Sequence, residues 1–437
     1  MPKNVHEIRD PIHVFVRLSN DERKVLDSRP FQRLRHIHQL GLTYLVYPGA
    51  THRRFEHSLG VMELAERVYD VVTGKLTDDV RNEFPDVGDD RKREYWRCVL
   101  RMAALCHDIG HLPFSHAAEK KLLPEGWNHE ALTAQLIRSD EMYPIWKGMK
   151  IDADDVVKLA LGRKELPDVD FTPWETILAE IIVGDAFGVD RMDYLLRDSH
   201  HAGVAYGKFD QYRLIDTLRI LPRVPTDVET GFALGLDEGG IQSAEALMSA
   251  RYFMYSQLYF HPIRRIYDIH LQEFLLEWQG DDGYPTDVEG HLRLTDAEVM
   301  QGIREAEQNA DLPGHLHARR VSRRKHFKLI YSHNPIDAAI DTEAGRAVFR
   351  ALSEKFGADY FRHDRYRQGG NAPEFPVRMR DGRVSLSSTI SAVLTHLPVV
   401  DLDSVFADRA VADEAKRWLR SHRNEIIRSR PEGDTDG

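Results

Sequence analysis

The run ALCHDIGHLPFSH, from Ala104 to His116, places a His-Asp pair and two further histidines at the end of an otherwise apolar segment. Apolar residues recur at helical spacing up to this point, and Gly110 then ends the pattern. His107 and Asp108 therefore lie in the last turn of a predicted helix. Carboxylate and imidazole ligands suit iron, zinc or manganese, although such a pair also serves as a simple helix cap. Other segments must decide between these two interpretations.

The composition is that of a globular protein. The chain has 437 residues, of which 42% are hydrophobic and 30% are charged, and a length of this order suggests about two to three domains. The formal net charge of -11 disfavours a general nucleic-acid coat protein, because such a field repels phosphate, but it allows a local basic pocket. The 22 histidines supply the commonest metal ligand and a side chain that moves protons near neutral pH.

Nothing in the sequence indicates export or insertion into a membrane. No run approaches the roughly 20 apolar residues needed to cross a bilayer, and the first residues lack the apolar stretch of a secretory signal. The only cysteines, Cys98 and Cys106, fall on one predicted helix and cannot pair while that helix is intact. We therefore expect a cytoplasmic protein with no disulfide and no membrane partner.

Helical periodicity dominates residues 20–280, and long helices are predicted over Ile177–Arg197 and Gln242–Trp278. Closer to the C-terminus, an Asp-Gly turn within Pro376–Leu386 predicts a β-hairpin. We expect a mainly α fold in which an all-helical core precedes a smaller α+β region. The predicted domains are a helical catalytic core (1–280), a helical extension with a basic segment (281–360), a small α+β region (361–430) and a disordered tail (431–437).

Two further segments carry residues suited to a metal. His57 begins another amphipathic helix and stands beside two arginines. Asp190 lies within a strongly apolar stretch, where a carboxylate must be paired, hydrogen-bonded or bound to a metal. With His107 and Asp108 these residues form a set of two histidines and two carboxylates on three helices. Such a set leaves coordination positions for water and a substrate oxygen.

The motifs in this chain, taken in order, resemble one family. It is the HD-domain deoxynucleoside triphosphate triphosphohydrolases, especially the branch that contains the SAM-and-HD-domain enzyme of animals and its prokaryotic dGTPase relatives. The resemblance covers roughly residues 8–275. Its motifs are Asp10–His13, Phe31–Arg35, Gln39–Gly41, Tyr47–Ala50, Arg54–Gly60, His107–His116, Asn128–Glu130, Val189–Tyr194 and Asp198–His201.

The resemblance implies a metal-dependent phosphohydrolase site. The residues implied to hold the divalent metal, which is iron, manganese, zinc or magnesium, are His57, His107, Asp108 and Asp190. Arg54, His111 and His129 would surround the phosphate, because an arginine fork and imidazolium donors suit an anion with developing charge. His116 would protonate the leaving 5′ oxygen. Glu119 stands where the animal branch has aspartate, at a position linked to proton handling or a second metal.

Other matched positions form a nucleotide pocket in the family. Gln39 and Asp198 match residues that hold the 3′-hydroxyl. Leu40 and Tyr259 match the wall that disfavours a ribose 2′-hydroxyl. The matches to triphosphate contacts are Arg191, Tyr194 and Arg251. The chain departs from the family at Pro262, where a lysine is common, and this removes one expected phosphate contact.

Three N-terminal residues, Asp27, Gln32 and Arg35, match positions that bind an activating guanine nucleotide in the animal enzyme. Arg9 replaces an asparagine of that site, and the alternative is an ordinary structural pair between Asp27 and Arg35. Val14 stands where glycine usually follows the DPIH motif. The resemblance also implies a homo-oligomer, either a dimer or a tetramer.

The implied reaction is hydrolysis of a deoxynucleoside triphosphate at the α-phosphorus, which gives a deoxynucleoside and inorganic triphosphate. One alternative is an HD phosphodiesterase or nuclease acting on single-stranded or cyclic nucleotides, with the basic run Arg319–Lys328 guiding the polymer. Another is a nucleotide-sensing regulatory or defence protein with little turnover. The basic run is more typical of a solvated helix face, so nucleic acid is the less favoured partner.

Overall fold

The computed structural model describes residues 5–114, 119–224, 231–280, 283–367, 373–398 and 400–428. The chain divides into two compact units. Unit 1 comprises Met1–Met254, Asp281–Val299 and Ala372–Leu397, and unit 2 comprises Tyr255–Gly280, Met300–Asn371 and Pro398–Gly437. The predicted acid His116 and the predicted tail 431–437 lie outside the described residues.

Helices dominate the structure, which confirms the prediction of a mainly α fold. In chain order they are α1 (Asn20–Leu26), α2 (Arg29–Arg33), α3 (Arg54–Gly74), α4 (Asp78–Glu83), α5 (Asp90–Cys106), α6 (Glu119–Leu122), α7 (His129–Ile137), α8 (Tyr143–Met149), α9 (Ala153–Glu165), α10 (Pro173–Val183), α11 (Val189–Ala202), α12 (Gln211–Thr217), α13 (Ile241–Met254), α14 (Pro262–Gln279), α15 (Val288–Arg293), α16 (Asp296–Gln308), α17 (His315–Ser322), α18 (Pro335–Ala338), α19 (Ala344–Phe356), α20 (Ser387–Ile390), α21 (Ala392–Thr395) and α22 (Ala412–Arg428). Among the described helices, none combines the length and apolar character needed to cross a bilayer.

Two long helices form the centre of unit 1. The apolar stripe predicted for α3 is buried, and its members are Val61, Leu64, Ala65, Val68 and Val72. The side chain of Glu56 accepts the Arg53 N–H at 2.8 Å, which fixes the first turn of α3. Asp89 caps α5, and every residue from Val99 to Cys106 is buried. The first turn of α3 and the last turn of α5 thus carry polar groups into an apolar core.

The helix predicted over Ile177–Arg197 is wrong, because the chain forms two helices here. Gly184 ends α10, and a Cβ atom at this position would lie 2.3 Å from the carbonyl oxygen of Glu180. The chain resumes as α11 after Gly188. Asp190 therefore lies in the first turn of a helix rather than in the middle of one.

The helix predicted over Gln242–Trp278 is also interrupted. Helix α13 passes into a π-helical turn, Tyr255–Tyr259, and α14 starts at Pro262. Proline suits the first position of a helix because its missing N–H would have no intrahelical partner there. The same ring prevents the preceding helix from continuing through this point.

Strands interrupt the helical pattern in places that the sequence did not indicate. The strands are β1 (Val5–Asp10), β2 (Val14–Ser19), β3 (Leu218–Pro222), β4 (Phe232–Asp237), β5 (Lys328–Ser332), β6 (Phe361–Arg367), β7 (Pro376–Arg378), β8 (Val384–Leu386) and β9 (Asp401–Ala407). In unit 1, β1 pairs with β2, and a second sheet has the order β3-β4-β7-β8. The predicted hairpin is confirmed as β7 and β8. The prediction of an all-helical core is wrong, because β4 pairs in parallel with β7, far along the chain.

Unit 2 contains a three-stranded antiparallel sheet in the order β5-β9-β6. Helices α19 and α22 pack against it. The buried residues of this core include Tyr331, Val348, Leu352, Phe361, Val405 and Leu419. The β-branched and aromatic residues on the strands explain why this part leaves the helical pattern.

Val14 adopts a backbone conformation that suits glycine. Its φ angle is +70°, in the left-handed region, where a β-branched residue is strained by about 1–2 kcal/mol. We expect Val14→Gly to raise the free energy of unfolding by about 1 kcal/mol, as measured by urea denaturation. Val5→Gly is the matched control on the same exposed hairpin, and it should lower stability by roughly 0.5–1 kcal/mol. An equal loss in both variants would contradict the strain at Val14.

Candidate active site

Four polar side chains from three helices meet inside unit 1. His57 lies in the first turn of α3, His107 and Asp108 follow the end of α5, and Asp190 lies in the first turn of α11. The His57 Nε2 atom is 3.0 Å from Asp190 Oδ1 and 3.7 Å from Asp108 Oδ2. The His107 Nε2 atom is 3.4 Å from Asp108 Oδ1 and 3.5 Å from Asp190 Oδ1. His57, His107 and Asp108 are buried and close enough to share one metal ion.

The second nitrogen of each histidine ring is engaged elsewhere. His107 Nδ1 donates to the Ala104 carbonyl at 2.8 Å, and His57 Nδ1 donates to Asp193 Oδ2 at 2.8 Å. Both Nε2 atoms are consequently directed at the carboxylates. Within the described residues, His107 Nε2 is buried without a hydrogen-bond partner. An imidazole nitrogen held in this way beside carboxylate oxygens fits a borderline divalent cation.

The same contacts determine whether His57 is protonated. Burial lowers the pKa of His57, but hydrogen bonds to Asp190 and Asp193 outweigh it and raise the pKa to about 10. Burial acts on Asp190 in the opposite sense, yet the neighbouring imidazoles of His107 and His57 hold its pKa well below the usual range. A metal at this position takes the place of the Nε2 proton, as metal ions do at histidine ligands.

A buried network behind His57 fixes its orientation. Asp193 accepts hydrogen bonds from Arg197 Nε at 2.8 Å and from His13 Nε2 at 2.6 Å. Arg197 also donates to Asp10 Oδ2 at 2.9 Å, and Asp10 Oδ1 accepts the His13 N–H at 2.8 Å. Burial raises the pKa of Asp193, but the guanidinium of Arg197 holds it well below the usual range. Asp193 is therefore a carboxylate, which favours a donating Nδ1–H on His57.

The sequence-based interpretation assigned no role to this network. Asp10 and His13 belong to a family motif, but their link to His57 was not predicted. A signal was present in α11, where Arg197 follows Asp193 by one helical turn within an apolar helix. A charged pair with this spacing in a buried segment indicates an interior salt bridge.

The predicted phosphate residues lie around Asp108, and two of them contact it directly. Arg54 Nη1 donates to Asp108 Oδ2 at 2.5 Å, and His111 Nε2 is 3.1 Å from Asp108 Oδ1. The rings of His111 and His129 stack with their centroids 4.0 Å apart. Burial, followed by the charges of Arg54 and His129, lowers the pKa of His111 well below its usual range. A neutral His111 is thus set between two cationic groups.

His129 is held between two glutamates. Glu119 Oε1 accepts both the His129 N–H at 2.7 Å and the His129 Nδ1–H at 2.8 Å. Glu130 Oε1 is 3.1 Å from His129 Nε2. Burial lowers the pKa of His129, but the hydrogen bond to Glu119 and the two carboxylates outweigh it, so the pKa is raised. The contacts of the His129 imidazole therefore favour its protonated form.

The predicted sugar residues are joined through a histidine that the sequence-based interpretation missed. The Gln39 N–H donates to the His52 carbonyl at 3.0 Å, and His52 Nε2 donates to Asp198 Oδ1 at 2.7 Å. The His52 ring stacks on His201 at 4.5 Å. The Gln39 Oε1 atom is buried without a hydrogen-bond partner in the described part of the chain, and the neighbouring Leu40 is buried.

The predicted triphosphate residues come from two helices of unit 1. Arg191 and Tyr194 lie on α11, and Arg251 lies on α13. Arg191 Nη1 donates to the Gly184 carbonyl at 3.2 Å. Tyr259, predicted for the sugar wall, falls in the π-helical turn of unit 2.

Among the predicted regulatory residues, Asp27 and Arg35 do not form with each other the pair that the structural alternative expected. Asp27 accepts from Arg23 Nε at 3.2 Å, whereas Gln32 Oε1 accepts from Arg35 Nε at 2.9 Å. The Arg35 guanidinium stacks over the Phe55 ring at 3.5 Å. Arg35 therefore contacts Gln32 of α2 and Phe55 of α3 rather than Asp27.

Known proteins can now be compared with this site. The HD domain family model matches residues 54–198, and the model of the HD associated region matches residues 209–360. An uncharacterized protein of Methanocaldococcus jannaschii is 34% identical over 367 residues, which cover 81% of this chain and 68% of the relative. The chain belongs to the HD-domain family. It is accordingly a metal-dependent phosphohydrolase of the HD type, in agreement with the predicted family and cofactor class.

Two further proteins extend the comparison. The deoxynucleoside triphosphate triphosphohydrolase SAMHD1 of Bos taurus is 30% identical over 294 residues, which cover 62% of this chain. The aligned part spans 47% of that enzyme, so the chain matches about half of its length. A crystal structure of a hypothetical protein from Aquifex aeolicus superposes with a TM-score of 0.78 at 33% identity, covering 95% of this chain and 100% of that one.

A second histidine-glutamate group lies in unit 2, outside the HD match. His270, Glu273 and His317 approach closely enough to hold a metal. However, His270 Nε2 accepts the Phe327 N–H at 3.2 Å and its Nδ1 donates to Glu273 at 3.2 Å. Arg362 pairs with the same glutamate. Hydrogen bonds and an ion pair therefore engage this group, whereas in the HD-domain group His107 Nε2 is buried without a hydrogen-bond partner in the described residues.

Gly60 gives a direct test of the network behind His57. A Cβ atom at Gly60 would lie 1.9 Å from Asp193 Oδ1 and 2.4 Å from Arg197 Nη2. We expect Gly60→Ala to displace Asp193 and weaken metal binding by about 10–100-fold, as measured by calorimetric titration of the metal-free protein. Gly74→Ala is the matched control, because a Cβ atom at the other end of α3 meets nothing within 4 Å. Equal metal affinities in Gly60→Ala and Gly74→Ala would show that the position of Asp193 does not determine metal binding.

Proposed function

We propose that this chain hydrolyses deoxynucleoside triphosphates at the α-phosphorus to give a deoxynucleoside and inorganic triphosphate. The observation that carries the proposal is the placement of Arg54, His111 and His129 beside the group formed by His57, His107 and Asp108. Phosphate donors next to a metal group are what hydrolysis of a phosphoester requires. The similarity to animal proteins named deoxynucleoside triphosphate triphosphohydrolase supports the nucleotide as substrate.

In this proposal the metal ligands are His57, His107, Asp108 and Asp190. When bound, a divalent cation at these residues polarises a phosphate oxygen and makes a bound water a stronger nucleophile at neutral pH. The protein contributes the orientation of the ligands. Asp193 and the Ala104 carbonyl hold the two rings, so the Nε2 atoms need no rearrangement before binding.

Arg54 and His111 stabilise the charge that develops on the phosphate. Both contact Asp108, so both lie next to the metal group whether or not substrate is present. Arg54 supplies the charged donors, and the neutral His111, whose single N–H lies at Nε2 toward Asp108, adds no second cation that would repel Arg54. Donors fixed in advance in a buried site act strongly, because little reorganisation is needed during the reaction.

His129 supplies the proton for the leaving group in the described part of the site. Water oxygen bonds to the α-phosphorus, the bond from phosphorus to the 5′ oxygen breaks, and the 5′ oxygen takes a proton. Glu119 and Glu130 keep His129 protonated before this step. General acids of this kind contribute typically ~100 to 10,000-fold in rate. His116 remains the other predicted acid.

The nucleotide lies along α11 and the segment that contains Gln39. Gln39 and Asp198 hold the 3′-hydroxyl, and the buried Gln39 Oε1 supplies an acceptor for it. Leu40 excludes a 2′-hydroxyl from this pocket; for Tyr259, in unit 2, the same role stays a prediction from the resemblance. The triphosphate contacts are Arg191, Tyr194 and Arg251. A contact that is unfavourable for a 2′-hydroxyl selects deoxynucleotides over ribonucleotides without requiring strong contacts to the base.

Regulation and assembly follow the family in the same proposal. Asp27, Gln32 and Arg35 bind an activating nucleotide, and Arg35 is positioned for this by its contact with Gln32. The protein acts as a homo-oligomer in the cytoplasm. Neither property is needed for the chemistry at His57 and Asp108.

The products of the reaction test the proposal. Metal-loaded protein is incubated with each deoxynucleoside and ribonucleoside triphosphate, and triphosphate is separated from pyrophosphate by ion-exchange chromatography. We expect triphosphate from the deoxy substrates and a loss of about 100-fold or more in Asp108→Ala, because Arg54 and His111 lose their shared partner together with the metal ligand. Asp140→Ala, at an exposed aspartate of unit 1, is the control and should retain full activity.

Different products would contradict the proposal. Pyrophosphate with a nucleoside monophosphate would place the cut at another phosphorus. Triphosphate that persists in Asp108→Ala would remove Asp108 from the site. Cleavage of single-stranded DNA or RNA without triphosphate release would favour the nuclease alternative, and tight nucleotide binding without turnover would favour the sensor alternative.

A further inference from the structure

A buried aspartate at the start of α16 accepts hydrogen bonds from two separate segments of unit 1. Asp296 Oδ1 accepts the Phe114 N–H at 2.8 Å. Asp296 Oδ2 accepts the His38 N–H at 2.7 Å and the His38 Nδ1–H at 2.6 Å. Only 3% of the Asp296 surface is exposed. One carboxylate therefore joins residues that are far apart in sequence.

The two segments carry residues of the candidate active site. Phe114 follows His111 in the loop after α5, and His38 precedes Gln39. The His38 ring stacks with Tyr44 at 5.3 Å and with Phe114 at 6.0 Å. Asp296 thus contacts segments on both the phosphate side and the sugar side of the pocket.

Phe114 needs support from outside its own loop. Its φ angle is +53°, in the left-handed region that residues other than glycine rarely adopt. Such a conformation persists only where the surrounding structure holds it, and it recurs at functional sites. The hydrogen bond from the Phe114 N–H to Asp296 is a contact that holds this backbone in place.

Arg33 ties the same part of the chain to His111. Arg33 Nη1 donates to the His111 carbonyl at 2.7 Å, while Nη2 and Nε donate to the Leu294 carbonyl at 2.8 Å and 3.1 Å. Burial lowers the pKa of Arg33 to about 10, and the charge of Asp296 opposes this shift. Arg33 remains charged at neutral pH. The segment that ends at Asp296 is therefore connected to the catalytic loop at two points.

The position of Asp296 is set by the cap of its helix. The Thr295 N–H donates to Glu298 Oε2 at 2.8 Å, and the Thr295 hydroxyl donates to the same oxygen at 2.5 Å. Glu298 makes no part of the contacts to Phe114 or His38 described above. Removal of Glu298 thus weakens the helix start, whereas removal of Asp296 also releases the two loops.

We propose that Asp296 is a positioning residue for phosphohydrolysis. Through Phe114 it holds the loop of His111, and through His38 it holds the segment of Gln39. Both segments are therefore positioned correctly relative to one bound substrate. This role rests on the proposed function of the site. A displacement of about 1 Å at reacting groups costs up to about 100-fold in rate.

The test compares Asp296→Ala with Glu298→Ala. We expect kcat for triphosphate release to fall about 10–100-fold in Asp296→Ala and less than about 3-fold in Glu298→Ala, with bound metal unchanged in both. Asp296→Asn keeps an oxygen for the Phe114 N–H and should recover most of kcat, while KM rises because the contacts of His38 are altered. This split between kcat and KM would not follow from a general loss of stability.

Hydrogen exchange gives a readout that needs no substrate. In Asp296→Ala, peptides covering residues 111–114 and 38–40 should lose protection, and the same peptides in Glu298→Ala should keep it. Equal kcat in the two alanine variants, or unchanged protection in Asp296→Ala, overturns the positioning role. A wild-type protein that releases no triphosphate overturns the proposed function instead, and selective loss of protection in Asp296→Ala then still supports Asp296 as the residue that holds both loops.

Discussion

The hydrogen bond between Asp193 and His57 is the interaction on which the candidate site depends. It joins the first turn of α3 to α11 in the interior of unit 1. A buried carboxylate is stable only when it is paired, and Arg197 supplies that pairing while also binding Asp10. The N-terminal hairpin, α3 and α11 are thereby linked through one set of charges. Metal binding and the fold of the N-terminal half consequently share the same contacts.

Pairing of buried charges also arranges the group around Asp108. Asp108 contacts Arg54 and His111 while remaining within reach of His57 and His107. A single carboxylate therefore borders both the metal group and the phosphate donors. This shared border places the phosphate donors directly beside the metal group. Each charge that leaves water meets an opposite charge or a hydrogen-bond donor.

The parts of this structure that can be predicted from the sequence are those that depend on local sequence patterns. The apolar stripe of α3 and the Asp-Gly hairpin follow from periodicity and turn chemistry, and the family follows from ordered motifs. The break at Gly184 and the pairing of β4 with β7 depend on close backbone contact and on distant segments, which periodicity does not report. The roles of Asp193 and Asp296 were missed for the same reason, since their partners lie far away along the chain.

We propose that one cation is held between α3, α5 and α11. Anomalous X-ray diffraction from crystals of the manganese- or iron-loaded protein, recorded at the absorption edge of the metal, locates the ion directly. We expect one strong peak within about 2.0–2.3 Å of the Nε2 atoms of His57 and His107 and of carboxylate oxygens of Asp108 and Asp190. A peak at His270, Glu273 and His317 with none near His57 would contradict it.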